Sequence, residues 1–206
     1  MNILHISPYV PSVHASHAGG VCMGKELEAL RKKHNVFVLS FINDEKEEKL
    51  VEKEFKNDNK SFFVYSNTYT KGLNALTHLN KPIFFGIRSS CKFKRLLLNI
   101  VRENSIDVIH AEYTAMGQFV WIKKYFPNIR FNLVEHDVTK QSYDRYCKGS
   151  SGIKHVYQKW QSNLVNKNEE DCLKKCDQVF TLNYKDKNLL SKYYGIQNVE
   201  VITPYY

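Results

Sequence analysis

Seven short runs rich in apolar and β-branched residues recur along the chain with longer, helix-patterned stretches between them, and this alternation constrains the fold more than any other feature of the sequence. The runs are ILHIS at 3–7, VFVLSF at 36–41, FFVYS at 62–66, DVIHA at 107–111, RFNLVEH at 130–136, QVFTLN at 178–183 and VEVIT at 199–203. Between them, apolar residues fall at helical spacing: Val21, Met23, Leu27 and Leu30; Leu96, Leu97, Ile100 and Val101; Met116, Phe119, Val120 and Ile122; Val156, Trp160, Leu164 and Val165; Leu189, Leu190 and Tyr193. Parallel strands need a crossover long enough for a helix, and strands apolar along both faces are covered on both. The pattern predicts an α/β fold: a doubly wound sheet of about seven mostly parallel strands, with helices on both faces, in a single domain spanning 1–206. Two stretches break the alternation, NTYTKGLNALTHLNKPIFFGIRSS after the third strand and DVTKQSYDRYCKGSSGIKH after the fifth, and both are read as excursions at a functional edge.

Composition narrows the classes of function. An apolar content of 43% over 206 residues is ample for a packed core. No apolar run approaches the roughly 18 residues that span a bilayer, and MNILHISPYV lacks the basic start and cleavage pattern of a signal peptide, so a cytoplasmic location is expected. The five cysteines are scattered without a C-x-x-C pair, which suggests neither a disulfide framework nor a zinc site. Cys172 and Cys176 share a helical face and are read as buried. The net charge of +9 is uneven: no acid occurs between Asp58 and Glu103, where Lys60, Lys71, Lys81, Arg88, Lys92, Lys94, Arg95 and Arg102 all lie. Such a segment suits a solvated basic face or an anionic membrane surface, whereas no helix-turn-helix, zinc-finger or RNP pattern points to nucleic acid. The charge-rich NDEKEEKLVEKEFKNDNK reads as an exposed helix.

The stretch PSVHASHAGGVCMGKELEALRKK places two glycines, Gly19 and Gly20, where a helix begins after the first strand. A glycine there lets another group lie close to the backbone, and the helix N-terminus favours an anion or a sugar hydroxyl. Gly19, Gly24 and Lys25 match the spacing of a phosphate loop, but Glu26 stands where magnesium binding requires Ser or Thr, and the glycines come too far after the strand. The G-x-G-x-x-G fingerprint of dinucleotide binding is absent as well. Glu112 and Tyr113 follow the fourth strand, at the carboxyl edge where open α/β sheets bind ligands. Glu135, His136 and Asp137 close the fifth; alternation keeps all three from facing one side, and His136 with Asp137 in support is the favoured choice.

Taken together, MNILHISPYVPS…HAGGV, DVIHAEYTAMG, LVEHD, CDQVFTLNYKDKNLLSKYYG and NVEVITPYY resemble, in order and spacing, the N-terminal domain of a GT-B glycosyltransferase of family 4. The resemblance implies two Rossmann-like domains facing across a cleft, the first holding the acceptor and the second the donor. It implies a metal-independent, retaining sugar transfer, of hexosyltransferase type, from a nucleotide-diphosphate sugar to a glycan or lipid-linked acceptor, as in polysaccharide or glycolipid biosynthesis, with no cofactor. It implies that His136 is the catalytic histidine beside the donor sugar, and that Gly19 and Gly20 form the loop approaching the donor phosphates. Glu112, Tyr113 and Asp137 would contribute to substrate binding, although Glu112 stands where the family more often has histidine. The closing Pro204, Tyr205 and Tyr206 depart from the family's Pro-Asn-Gly. On this reading the C-terminal donor-binding domain is the missing partner, and the chain is expected to be incomplete as an enzyme by itself. The basic segment would serve peripheral docking at the inner face of the cell membrane. The competing reading is a non-catalytic sugar- or nucleotide-binding module, or one subunit of a split enzyme.

Overall fold

In the computed structural model, which describes residues 1–202, each apolar run becomes a strand: β1 Asn2–Ser7, β2 Asn35–Ile42, β3 Ser61–Tyr65, β4 Val108–Glu112, β5 Arg130–Glu135, β6 Gln178–Thr181 and β7 Val199–Val201. They form one sheet in the order β3-β2-β1-β4-β5-β6-β7, with every adjacent pair parallel. The chain winds outward from β1 to β3, then returns to place β4 on the other side of β1. The helices that follow β1 and β4 therefore part at this point and leave a crevice outside the carboxyl ends of the two strands. The Pro204-Tyr205-Tyr206 ending lies outside the described residues.

Among the described residues, eight α-helices connect the strands: α1 Ala18–Arg31, α2 Glu45–Glu54, α3 Thr68–Thr77, α4 Ile83–Gly86, α5 Cys91–Glu103, α6 Thr139–Lys148, α7 Gly152–Lys175 and α8 Tyr184–Tyr194. The two stretches that broke the alternation are α3 with α4, and α6 with the start of α7. Both stand at the carboxyl edge. The segment Thr114–Lys124 is a 3-10 helix rather than an α-helix. Its fully buried residues Met116, Phe119 and Ile122 recur at intervals of three, the spacing at which side chains of a 3-10 helix eclipse.

Strand alternation divides the core. Leu4 and Ile6 of β1, Phe37, Leu39 and Phe41 of β2, and Phe131 and Leu133 of β5 pack on one face with Phe93, Leu97 and Phe119. Ile3, Val36, Val38 and Ile42 pack on the other with Leu27 of α1 and Phe55. The apolar side of α5 is consumed by the first of these clusters, through Phe93, Leu97, Ile100 and Val101. That helix consequently offers its basic side, not its apolar side, to the surroundings. In α7 the expected stripe is split: Val165 is buried, but Val156 and Trp160 are 68% and 42% exposed. Cys172 and Cys176 are buried, and burial pushes both thiols up. No helix among the described residues is long and apolar enough to cross a membrane.

Candidate active site at the carboxyl edge

The parity that sends Ile3, Val36 and Val108 toward α1 also sends His5, His110 and Glu112 there, and the register pairs His5 with His110 directly. Three polar side chains thus converge under α1 instead of apolar ones. Glu112 has no exposed side-chain surface, and its Oε2 lies 2.7 Å from His136 Nε2. Its Oε1 lies 3.2 Å from His110 Nε2 and 3.3 Å from His5 Nε2. His110 Nε2 is also 2.8 Å from Glu26 Oε1 of α1. Burial works against a charge on His110, yet the carboxylates of Glu26 and Glu112 overcome it and hold its pKa up to about 10. Burial likewise opposes ionisation of Glu112, and contacts from His110, His136 and His5 hold it well below the ordinary carboxylate range. Among the described residues, the ligand atoms of Glu26, His110 and Glu112 form a group within 4.8 Å of one another. A divalent ion there would compete with the proton on His110, which already balances the two carboxylates.

His136 follows β5 with the opposite parity to Glu135, so the two occupy opposite faces of the sheet. With Glu112 ionised, His136 Nε2–H donates to the carboxylate and Nδ1 is left as the basic nitrogen. The Tyr113 ring lies parallel to the imidazole, 3.8 Å between centroids and 3° between planes. Tyr113 adopts φ 69°, a left-handed conformation uncommon for a residue with a side chain. Holding it there costs energy that the surrounding contacts must supply. Its hydroxyl reaches α1: a Cβ at Gly19 would stand 1.8 Å from Tyr113 Oη. Gly19 is therefore bare because Tyr113 lies against it. The amide of Gly20 is already used, donating to His17 Nδ1 at 3.0 Å, and Gly20 is buried.

The residues named from sequence thus meet at one place: Tyr113 in contact with Gly19 on one side and His136 on the other, Glu112 sealed behind the histidine, and Asp137 exposed beside them. A cleft of about 490 Å³ opens next to them, lined by Pro8, Tyr9, Arg88, Tyr113, Asp137 and Tyr143, among others. A slightly larger depression, about 530 Å³, lies around Arg31, Lys53 and Lys60 at the amino edge, away from this chemistry. Tyr143 was not singled out in the sequence, and Arg88 only as one of the basic residues of the acid-free segment. Arg88 is 5% exposed, donates to Asn43 Oδ1 at 2.6 Å, and lies 5.3 Å from the Tyr9 ring centroid. It is a held cation on the cleft wall, able to meet a phosphate or carboxylate. The sequence signal was its position inside an irregular stretch after a strand.

On the far face, Glu135 accepts from Thr114 Oγ1 and has no exposed surface. Burial, then the charge of Glu169, push its carboxyl well above the usual range. Glu169, itself raised by burial, accepts from the amides of Thr139 at 2.9 Å and Lys140 at 3.1 Å. It thereby caps α6, whose own N-cap position, Val138, supplies no side-chain hydrogen bond.

Residues 22–204 match the model of Glycosyltransferase Family 4. No curated protein matches the sequence. The fold resembles that of sucrose-phosphate synthase from Thermosynechococcus elongatus, with TM-score 0.63 and 12% identity over 98% of this chain and 48% of that one. It also resembles Phytolacca americana UGT2 complexed with UDP-2fluoro-glucose and pterostilbene, with TM-score 0.62 and 9% identity over 99% of this chain and 53% of that one. The chain thus spans about half the length of these two solved structures.

Proposed function

This chain belongs to Glycosyltransferase Family 4, and from that premise we propose that its carboxyl-edge cleft is the acceptor-side wall of a two-lobed active site. The reaction is transfer of a sugar, of hexose type, from a nucleotide-diphosphate sugar to a glycan or lipid-linked acceptor, with retention of configuration and without a metal ion. The observation that carries this reading is the convergence of Gly19, Tyr113 and His136 beside a 490 Å³ cleft at the point where the strand order reverses. A second lobe, in the same polypeptide or as a separate subunit, supplies the donor site. Polysaccharide or glycolipid synthesis at the cytoplasmic side of a membrane is the matching setting.

Sugar transfer needs the acceptor hydroxyl fixed near the anomeric carbon and the departing diphosphate charge stabilised. Arg88 and the unshared first-turn amides of α1 provide positive potential on this wall. Asp137 is the exposed carboxylate available to an acceptor hydroxyl. His136, oriented by the buried Glu112 and covered by the Tyr113 ring, meets the reacting sugar where that ring moves aside, so Glu112 acts as a positioning residue.

The test is His136→Ala in the assembled two-lobed enzyme, assayed against a panel of UDP- and GDP-sugars. Turnover is expected to fall about a hundredfold or more, with the far-UV circular dichroism spectrum preserved. Unchanged turnover removes His136 from the mechanism. The competing reading, a binding module without chemistry, follows if the assembled protein binds a nucleotide sugar yet transfers nothing.

A further inference from the structure

We propose that α3, α4 and the first two turns of α7 form one face that docks on an anionic lipid bilayer beside the mouth of the cleft. The inference rests on the lipid-linked acceptor reading above and assigns its surface.

Helix α3 has no buried residue. Tyr69, Leu73 and Leu76 fall on one side of it at i, i+4 and i+7, and are 73%, 45% and 69% exposed. Leu79 and Ile83 continue the exposed line into α4. The start of α7 is inverted for a globular helix. Ile153, Val156, Tyr157 and Trp160, at i, i+3, i+4 and i+7, face outward, Ile153 with 91% exposure, while Gln161 and Ser162 are the buried residues of that region. The two helices belong to one surface. Ala75 of α3 approaches Gly86 of α4 so closely that a Cβ there would stand 3.3 Å from Ala75 Cα. Ile83 N–H of α4 donates to Gln161 Oε1 of α7 at 2.9 Å, and the Phe84 and Tyr143 rings join α4 to α6 at 6.0 Å. Tyr146, 58% exposed, belongs both to this face and to the cleft lining.

Charge identifies the occupant. Residues 67–95 and 145–168 contain eleven of the 30 Lys and Arg residues and none of the 21 acids, which leaves the rest of the chain with a net charge of −2. The same two stretches carry ten of the fourteen exposed large apolar residues among the described residues. Basic groups interleaved with outward apolar side chains match an anionic headgroup layer over hydrocarbon. A second copy of the chain would set cation against cation across a two-fold axis, which disfavours self-association through this face.

Co-sedimentation of the full chain with vesicles of equimolar phosphatidylglycerol and phosphatidylcholine, against pure phosphatidylcholine, tests the proposal. Binding is expected only to the anionic vesicles and to weaken with salt. Leu76→Ser with Ile153→Ser, both exposed positions that leave the core untouched, should lower the partition coefficient about tenfold or more. Lys154→Glu with Lys159→Glu should do the same. Lys56→Glu with Arg102→Glu, an equal charge change at the amino edge, should leave it near that of the parent chain. Equal binding to neutral vesicles, no binding, or equal losses in the two charge pairs overturns the proposal. So does a dimer in sedimentation equilibrium that the serine pair dissolves. Vesicle binding is read without donor or acceptor, so its failure leaves the His136 test standing, and the failure of that test leaves vesicle binding unaffected.

Discussion

The ring of Tyr113 covers His136, and its hydroxyl occupies the space that a side chain at Gly19 would need. Gly19→Ala forces a methyl to 1.8 Å from Tyr113 Oη, so either the ring or the helix end must move. Overpacking of this kind costs about 1–3 kcal/mol. Without the hydroxyl, the nearest Tyr113 atom to that methyl is Cζ at 3.1 Å. Thermal denaturation of a double-mutant cycle is therefore expected to show Tyr113→Phe recovering most of the loss caused by Gly19→Ala; additive losses would mean that the two residues do not share the space. That something lies close to Gly19 was legible in the sequence, because a glycine pair at a helix start signals a close approach. That the approaching group is Tyr113 was not, because residues remote in sequence meet there through a positive φ that no local pattern announces. His136 could be separated from Glu135 by strand alternation alone. The sealing of Glu112 could not, since a carboxylate at a strand end is ordinarily read as exposed.

Among the elements, every strand and the main helices follow from periodicity, and departures have identifiable causes. The stretch from Thr114 mimics a helix because its apolar residues come in threes, which a search for 3.6-residue periodicity accepts without distinguishing the 3-10 form. The stripe assigned to α7 merged an outward segment, Val156 and Trp160, with an inward one at Val165. A helix whose apolar side changes direction looks uniform in sequence. Helix α6 is held by a partner outside itself: Glu169 of α7 takes up the amides of Thr139 and Lys140 and also accepts from Tyr194 Oη at 2.6 Å. Glu169→Ala removes that cap and leaves buried donors unpaired, at about 1–3 kcal/mol. The expected signature is faster hydrogen exchange at the first turn of α6, with exchange in β1 and β4 unchanged. Because α6 carries the cleft residues Ser142, Tyr143 and Tyr146, a loss of acceptor affinity should accompany it.

At the scale of the whole molecule, the sheet holds buried ionisable groups on both faces, and their shifts set how stability depends on pH. His110, raised from 6.5 to about 10 in the fold, contributes stability fully present below pH 6.5 and lost as pH rises through about 10. Glu112, held below its ordinary 4.5, contributes stability present above that value and lost as pH falls through its folded pKa. Glu135 is raised, so the unfolded chain ionises it above pH 4.5 while the native state keeps the proton, and stability declines as pH climbs. The three together place the maximum near pH 4.5. Urea unfolding across pH is expected to show stability falling steadily from there toward pH 10, with Glu135→Gln, the isostere of the neutral acid, flattening part of the slope. A profile that rises toward alkaline pH would contradict the assignment. Strand number and parallel sense could be read from the sequence, but the position of β4 beside β1 could not: nothing in a single run names its neighbour.

The parallel contact between Tyr113 and His136 also builds a reporter into the molecule. Protons of an imidazole held under the face of an aromatic ring sit in its ring current, and their magnetic resonance frequencies are displaced as long as the two planes stay together. A nucleotide sugar or acceptor that slides the phenol aside would return those signals toward ordinary imidazole positions. A ligand that packs on the outer side of the phenol would leave them displaced. The carbon-bound protons of His136 would thus reveal, without any turnover, whether occupancy of the cleft uncovers the histidine or only roofs it further.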